Sequence, residues 1–147
     1  MQAASDTCTR STKAAVLHPL RVFLVEDSKV IRERLIESIS SLPDVNLIGH
    51  ADTEAAAIAA VQRTPCDVVV LDLQLRDGHG FNVLKALRAP ADRPHLTIIV
   101  LTNFASAQYR VRSVEMGADY FFDKAREYGR IDDVLEDLAA RREGNLG

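Results

Sequence analysis

The chain predicts an α/β fold, a doubly wound parallel sheet built from five βα units, and three features of the sequence lead there. Short apolar runs alternate five times with amphipathic stretches between Leu20 and Arg142, the pattern of strands joined by covering helices. Three of those runs are apolar almost throughout, as parallel strands buried on both faces are. At 147 residues there is room for one such domain and a short tail.

Residues 1–19 are rich in Ser, Thr and Ala, carry no sustained apolar period and end at Pro19. They predict a mobile extension ahead of a domain over 20–147. The first apolar run is Val22-Phe23-Leu24-Val25, followed by Ser28 as a helix N-cap and by the stripe Ile31, Leu35, Ile39 and Leu42. The second, Val45 to Ala51, is diluted by Asn46, Gly49 and His50, which suits an edge strand. Thr53 caps an Ala-rich helix from Ala55 to Val61. The third run, Val68 to Leu71, leads to Gly78-His79-Gly80, a turn signal and not a phosphate loop, because no GK[ST] follows. Phe81, Val83, Leu84 and Leu87 make the next, shorter helix. After the run Thr97 to Leu101, Ser106 caps a helix that Gly117 stops. Tyr120-Phe121-Phe122 is the fifth run, and Ile131, Val134, Leu135 and Leu138 form the last stripe. That helix is expected to run out near Arg142, with no second domain after it. Right-handed crossovers then give the flavodoxin-like strand order 2-1-3-4-5.

Bulk properties narrow the function classes. A hydrophobic fraction of 47% and a charged fraction of 27% are ordinary for a globular domain. A net charge of −3 lacks the basic excess of a broad nucleic-acid face, so no direct DNA binding is expected. Cys8 and Cys66 form no CxxC pair and no metal-ligand ladder, which fits a reducing compartment. Ala14 to Leu17 is too short for the apolar part of a signal peptide. No stretch nears the roughly 20 apolar residues of a membrane span. The expected location is cytoplasmic.

In open α/β sheets, ligands bind beyond the carboxyl ends of the strands. After the first run stand Glu26 and Asp27; after the third, Asp72; after the fourth, Thr102; after the fifth, Asp123 and Lys124. Three or more carboxylates on one rim cannot all stay ionised without a cation. Hard oxygen ligands of this kind suit Mg²⁺, which favours a few carboxylates together with a substrate phosphate. Such an ion would screen an incoming phosphoryl group from an Asp72 nucleophile, with Lys124 as a second charge and Thr102 as a hydroxyl donor. The four histidines lack partners at metal-ligand spacing. Cys66, ahead of the third run, is expected at the opposite pole, about 20 Å from Asp72.

Four motifs, LVEDS at Leu24 to Ser28, VVVLDLQL around Asp72, the pair Leu101-Thr102, and GADYFFDKA at Gly117 to Ala125, together resemble the receiver domains of response regulators over roughly residues 20–143. The resemblance implies that Glu26 and Asp27 form the metal-binding acidic pair and that Asp72 is the phosphoacceptor. It implies that the backbone carbonyl of Gln74 completes the protein's share of a Mg²⁺ shell. Thr102 then becomes the switch hydroxyl, Lys124 the phosphoryl-pairing lysine and Phe121 the switch aromatic. Asp123 is expected to point away while Lys124 points inward. The implied phosphodonor is a histidine kinase or phosphotransfer protein, and the output is altered binding of a downstream protein, with Thr102 and Phe121 moving inward. A phosphorelay shuttle or phosphate sink is the alternative within this class. The chain would catalyse only its own phosphorylation and dephosphorylation.

The sequence departs from the family in three places. Ala125 stands where a proline, commonly after a cis peptide, follows the lysine; a non-proline cis bond costs roughly 3–4 kcal/mol. Asn103 stands where a small residue usually follows the threonine, and Phe121 lacks a hydroxyl. Gln74 and Phe104, each two residues beyond a site residue, flank by resemblance the path of a hydrolytic water, with Phe104 expected to cover the phosphoryl group. Two other classes fit less well. An aspartyl-phosphate hydrolase would place an acid/base Asp two residues after its nucleophile, where Gln74 stands. A flavin or nucleotide binder would need an anion cradle after the first strand, where Glu26 and Asp27 would repel a phosphate.

Overall fold

A computed structural model describes residues 18–89 and 96–146. Most of the expected extension, through residue 17, and His95 lie outside the described residues. Five strands alternate with five helices: β1 (Leu20–Val25), α1 (Lys29–Ser40), β2 (Val45–Ala51), α2 (Glu54–Arg63), β3 (Val68–Leu71), α3 (Gly80–Arg88), β4 (Thr97–Thr102), α4 (Ala107–Glu115), β5 (Tyr120–Asp123) and α5 (Arg130–Leu146). The sheet order is β2-β1-β3-β4-β5, every pair parallel. The diluted second run is indeed an edge strand. α5 continues four residues beyond the expected stop at Arg142.

Period-two alternation sends successive strand residues to opposite faces, and two cores result. Phe23, Val25, Val69, Leu71, Ile98, Val100 and Phe121 face one core with α2 and α3. Val22, Leu24, Val68, Val70, Ile99, Leu101 and Phe122 face the other with Leu35 and Ile39 of α1 and Ile131 and Leu135 of α5. Strands β1, β3 and β4 are interior, so nearly every one of their residues is apolar. Gly49 in β2 sits where the Phe23 ring passes, 3.1 Å from the place a Cβ would occupy.

Each expected cap forms. Ser28, Thr53 and Ser106 hydroxyls accept the backbone N–H of Ile31, Ala56 and Tyr109, each worth about 1 kcal/mol over alanine. Gly117 takes φ +107° at the end of α4, the left-handed stop that favours glycine. Arg88 then packs over it, donating to the carbonyls of Gly117 and Leu96 at 2.9 and 2.7 Å and to Asp119 at 2.8 Å.

At the pole where the strands begin, Asp67 accepts from the backbone N–H of Arg21 at 2.8 Å and from its guanidinium, with Arg142 of α5 at 3.4 Å. These donors overcome the effect of burial and hold the Asp67 carboxyl below its ordinary pKa. Cys66 packs there against the core, at the pole expected of it.

Candidate functional site

Three of the residues at the rim are fixed by a hydrogen bond continuing the sheet. The N–H of Glu26 donates to Ala51 at 3.0 Å, that of Asp72 to Val25 at 3.0 Å, and that of Lys124 to Thr102 at 2.8 Å. Because β1, β3, β4 and β5 are parallel neighbours, their following residues meet at one edge. Residues some fifty to one hundred apart in sequence are thereby brought into contact.

Lys124 Nζ donates to Glu26 Oε1 at 2.7 Å and to Asp72 Oδ2 at 2.9 Å. All three are buried: Glu26 is 1% exposed, Asp72 5% and Lys124 7%. Glu26 Oε2 accepts the N–H of Ser28 at 3.0 Å, so both its oxygens are engaged, and Arg32 holds its backbone carbonyl at 3.1 Å. Asp27 is half-buried beside them. One carboxylate oxygen each of Glu26, Asp27 and Asp72 lies within 4.8 Å of the others. At that separation two like charges repel by about 3 kcal/mol at an effective dielectric constant of about 20. The ammonium group offsets only part of this.

The protonation balance follows from burial and charge. Burial pushes the Glu26 carboxyl above its usual pKa, and Asp72 adds to the rise, while the Lys124 hydrogen bond opposes it. For Lys124, burial pulls down, but the Asp72 charge and the hydrogen bonds to Glu26 and Asp72 outweigh it, and the ammonium is held above its usual range. Lys124 is therefore a fixed positive charge. The remaining excess is negative and built of hard oxygen donors, a set that fits a divalent cation such as Mg²⁺.

Thr102 is fully buried at the end of β4, and its Oγ1 accepts the N–H of Phe104 at 3.1 Å. The hydroxyl proton remains available to a phosphoryl oxygen. Asp123 is turned to its own loop, its Oδ1 accepting the N–H of Ala125 at 2.9 Å. No cis peptide occurs among the described residues, so the Lys124–Ala125 bond is trans.

Phe121 is already inward, 5% exposed, with the Arg110 guanidinium 4.7 Å from its ring centre and donating to its carbonyl at 3.1 Å. Phe104, expected as a cover, is 50% exposed and leans on Tyr109 of α4, with ring centres 6.5 Å apart.

The loop after the acceptor is held by close contacts that the sequence alone does not show. The N–H of Gln74 donates to Asp72 Oδ1 at 3.3 Å, and Gly80 N–H closes the loop onto the Leu73 carbonyl at 2.8 Å. A Cβ at Gly80 would lie 2.3 Å from the Asp72 carbonyl oxygen and 2.6 Å from the Leu73 Cα. Gly80 is thus the point where α3 touches the acceptor backbone, a contact its place in a turn signal only hints at. Glu54, first residue of α2, accepts from the N–H of His79 and the amide of Asn82, both at 3.0 Å. His79, read as a bland turn residue, caps α3: its Nδ1 accepts the N–H of Phe81 at 3.1 Å. Burial, then the Arg112 charge, lowers its pKa against opposition from Asp72 and Glu54.

The sequence and the fold are shared with known proteins. A family model described as the response regulator receiver domain matches residues 22–136. The chain is 29% identical over 123 residues to the DNA-binding transcriptional activator DevR/DosR of Mycobacterium tuberculosis, covering 84% of this chain and 56% of the relative. It therefore spans about half the length of that curated relative. Among solved structures, the signal receiver domain of the response regulator NarL from Mycobacterium tuberculosis superposes with a TM-score of 0.74 at 24% identity, covering 84% of this chain and 98% of that one. The Mn²⁺-bound form of response regulator Rcp1 superposes with a TM-score of 0.69 at 25% identity, covering 82% and 91%.

Proposed function

This chain belongs to the response regulator receiver domain family, and we propose that it works by accepting a phosphoryl group from a histidine kinase or phosphotransfer protein onto Asp72. We take residues 20–147 as the receiver and 1–19 as an extension to it. The observation that carries the reading is the buried Lys124 ammonium bridging Glu26 and Asp72, beside an Asp27 oxygen close enough to share a cation with both.

Glu26, Asp27, the Asp72 carboxylate and the Gln74 backbone carbonyl would hold Mg²⁺. When bound, the ion supplies charge neutralisation at the phosphoryl oxygens and at the acceptor. The residues of the chain do the rest. Asp72 contributes the attacking oxygen: its new bond to phosphorus forms as the bond from phosphorus to the donor histidine nitrogen breaks. The electron pair stays on the imidazole. Lys124 is already 2.9 Å from the acceptor carboxylate and needs only a small shift to pair with a phosphoryl oxygen. Thr102 donates its hydroxyl proton to another. Loss of the Lys124–Asp72 contact as the ammonium turns to the phosphoryl group is then the local event that shifts a conformational equilibrium.

The partner is best supported as a protein, since the overall charge is −3 and offers no broad basic face. The chain acts on no substrate besides its own aspartate, and a cytoplasmic location suits a kinase-fed switch. Among the described residues no helix is long and apolar enough to cross a membrane. A direct test is incubation with radiolabelled acetyl phosphate. Label that requires Mg²⁺, is lost with chelator and is absent from Asp72→Asn supports the proposal; label that survives in Asp72→Asn overturns it.

A further inference from the structure

The loop from Gln74 to His79 carries the one expected metal donor that is a backbone atom, the Gln74 carbonyl, and it is held between two anchors. The inner anchor is the acceptor itself. Gln74 and His79 face each other as an isolated antiparallel pair, closed on one side by the Gly80 N–H bonded to the Leu73 carbonyl at 2.8 Å. The N–H groups of the pair turn to partners outside it. That of Gln74 donates to Asp72 Oδ1 at 3.3 Å, and that of His79 to Glu54 Oε1 at 3.0 Å. The His79 ring stacks on Phe81 with ring centres 4.9 Å apart, and its Nε2 lies 3.4 Å from the Gln74 amide nitrogen.

The outer anchor is Glu54, half-buried at the start of α2. Its N–H donates to the Asp77 carbonyl at 2.9 Å. Besides the His79 N–H, its Oε1 accepts the Asn82 amide at 3.0 Å. The Asn82 and His79 donors hold the Glu54 carboxyl below its usual pKa, so the acceptor is ionised at neutral pH and its hydrogen bonds are charge-assisted. Gly78, at φ +100°, passes against the same side chain, and a Cβ there would lie 2.3 Å from the Glu54 Cβ. A single residue of the neighbouring helix thus meets Asp77, Gly78, His79 and Asn82.

We infer that Glu54 is a positioning residue for the metal shell: by fixing His79 opposite Gln74, it holds the Gln74 backbone at the rim where Glu26, Asp27 and Asp72 gather. The inference rests on the reading of that rim as a Mg²⁺ site. Mg²⁺ demands near-ideal octahedral geometry and short bonds, so a donor on a loose loop serves it poorly. Groups outside a metal shell that order its donors change affinity by about 10–100-fold when removed. Glu54 does this by reach, placing an accepting oxygen at the His79 N–H, and not by its charge.

Calorimetric titration of the full chain with Mg²⁺ compares wild type with Glu54→Gln, Glu54→Asp and Glu54→Ala. Glutamine keeps the reach and an accepting oxygen without the charge. Aspartate keeps the charge and suits the first turn of a helix, but it is one methylene short of His79. The expected result is affinity within about twofold of wild type in Glu54→Gln and about tenfold weaker in Glu54→Asp and Glu54→Ala. Glu54→Gln as weak as Glu54→Ala, with Glu54→Asp like wild type, would make the effect one of charge at a distance and overturns the inference. Wild-type affinity in all three, as a merely structural role would leave it, overturns it too. Hydrogen exchange of the metal-free chain gives a readout apart from the ion: the His79 and Gln74 amides should lose protection together in Glu54→Asp. Loss at His79 with Gln74 unchanged shows that the pair does not transmit the contact, and also overturns the inference. Wild type that binds no Mg²⁺ overturns the metal-site reading itself, a result distinct from equal affinities.

Discussion

Replacing Gly80 by alanine tests how closely α3 is built onto the acceptor loop. Within a helix, glycine to alanine ordinarily stabilises by about 0.5–1 kcal/mol. Here the added Cβ would lie 2.3 Å from the Asp72 carbonyl oxygen, 2.6 Å from the Leu73 Cα and 3.1 Å from the Asp72 carbonyl carbon. Ordinary contact between such atoms is about 3.5–4.0 Å, so the chains must part by about 1 Å. The neighbours are backbone, and no side chain can rotate to make room. Overpacking of this kind costs about 1–3 kcal/mol, which exceeds the helix-propensity gain and leaves a net loss. The same displacement moves Asp72 relative to Lys124 and Asp27, and a misplacement of about 1 Å at a reacting group lowers rate by about 100-fold. Urea unfolding with and without Mg²⁺, beside a time course of labelling by acetyl phosphate, measures both effects. Gly129→Ala is the control, because nothing lies within 4 Å of its would-be Cβ, and it should change stability by no more than about 0.5 kcal/mol. Gly80→Ala protein as stable as wild type and labelled at the same rate would refute the reasoning.

Lys124→Met leaves Glu26 and Asp72 buried without their shared cation, so stability in metal-free urea titrations should fall by about 3 kcal/mol. Added Mg²⁺ should recover part of that loss. Asp27→Ala should weaken Mg²⁺ binding, followed by fluorescence or calorimetric titration, far more than Asp123→Ala, whose carboxylate caps its own loop; equal losses would mean the rim is wrongly assigned. At the other pole, the Asp67 pKa is lowered on folding. Its contribution is therefore present above the unfolded carboxylate value of about 3.9 and fades as pH falls through the folded one. Asp67→Asn should be about 1–3 kcal/mol less stable at neutral pH, with the gap closing below about pH 4 in parallel urea melts.

The strands of this fold are written in short apolar runs bounded by turn residues, and the rule that ligands gather at strand carboxyl ends carries Glu26, Asp72 and Lys124 to one place. That legibility has a physical origin: interior parallel strands are apolar on both faces, so the first polar residues after each run mark the rim. The caps were legible for a similar reason, since Ser28, Thr53 and Ser106 each precede a helical period by one position. What the sequence concealed depends on side-chain direction and close approach. Gly80 reads as a turn glycine, and only the 2.3 Å gap to the Asp72 carbonyl reveals why a side chain is excluded. His79 reads as a turn residue because neither its contact with Gln74 nor the stack on Phe81 has a periodic signature. Phe104 follows Thr102 at the spacing of a cover, and the lean of its half-exposed ring on Tyr109 is a side-chain direction that spacing does not show.

The measurement that bears most directly on the account is the identity of the phosphorylated residue. Protein loaded with acetyl phosphate and Mg²⁺ is reduced with borohydride, which converts an acyl phosphate of aspartate to homoserine, and the peptides are sequenced by mass spectrometry. The account predicts homoserine at residue 72 and at no other carboxylate, with none formed when chelator replaces Mg²⁺. Homoserine at Asp27, or at several aspartates independently of Mg²⁺, would contradict it.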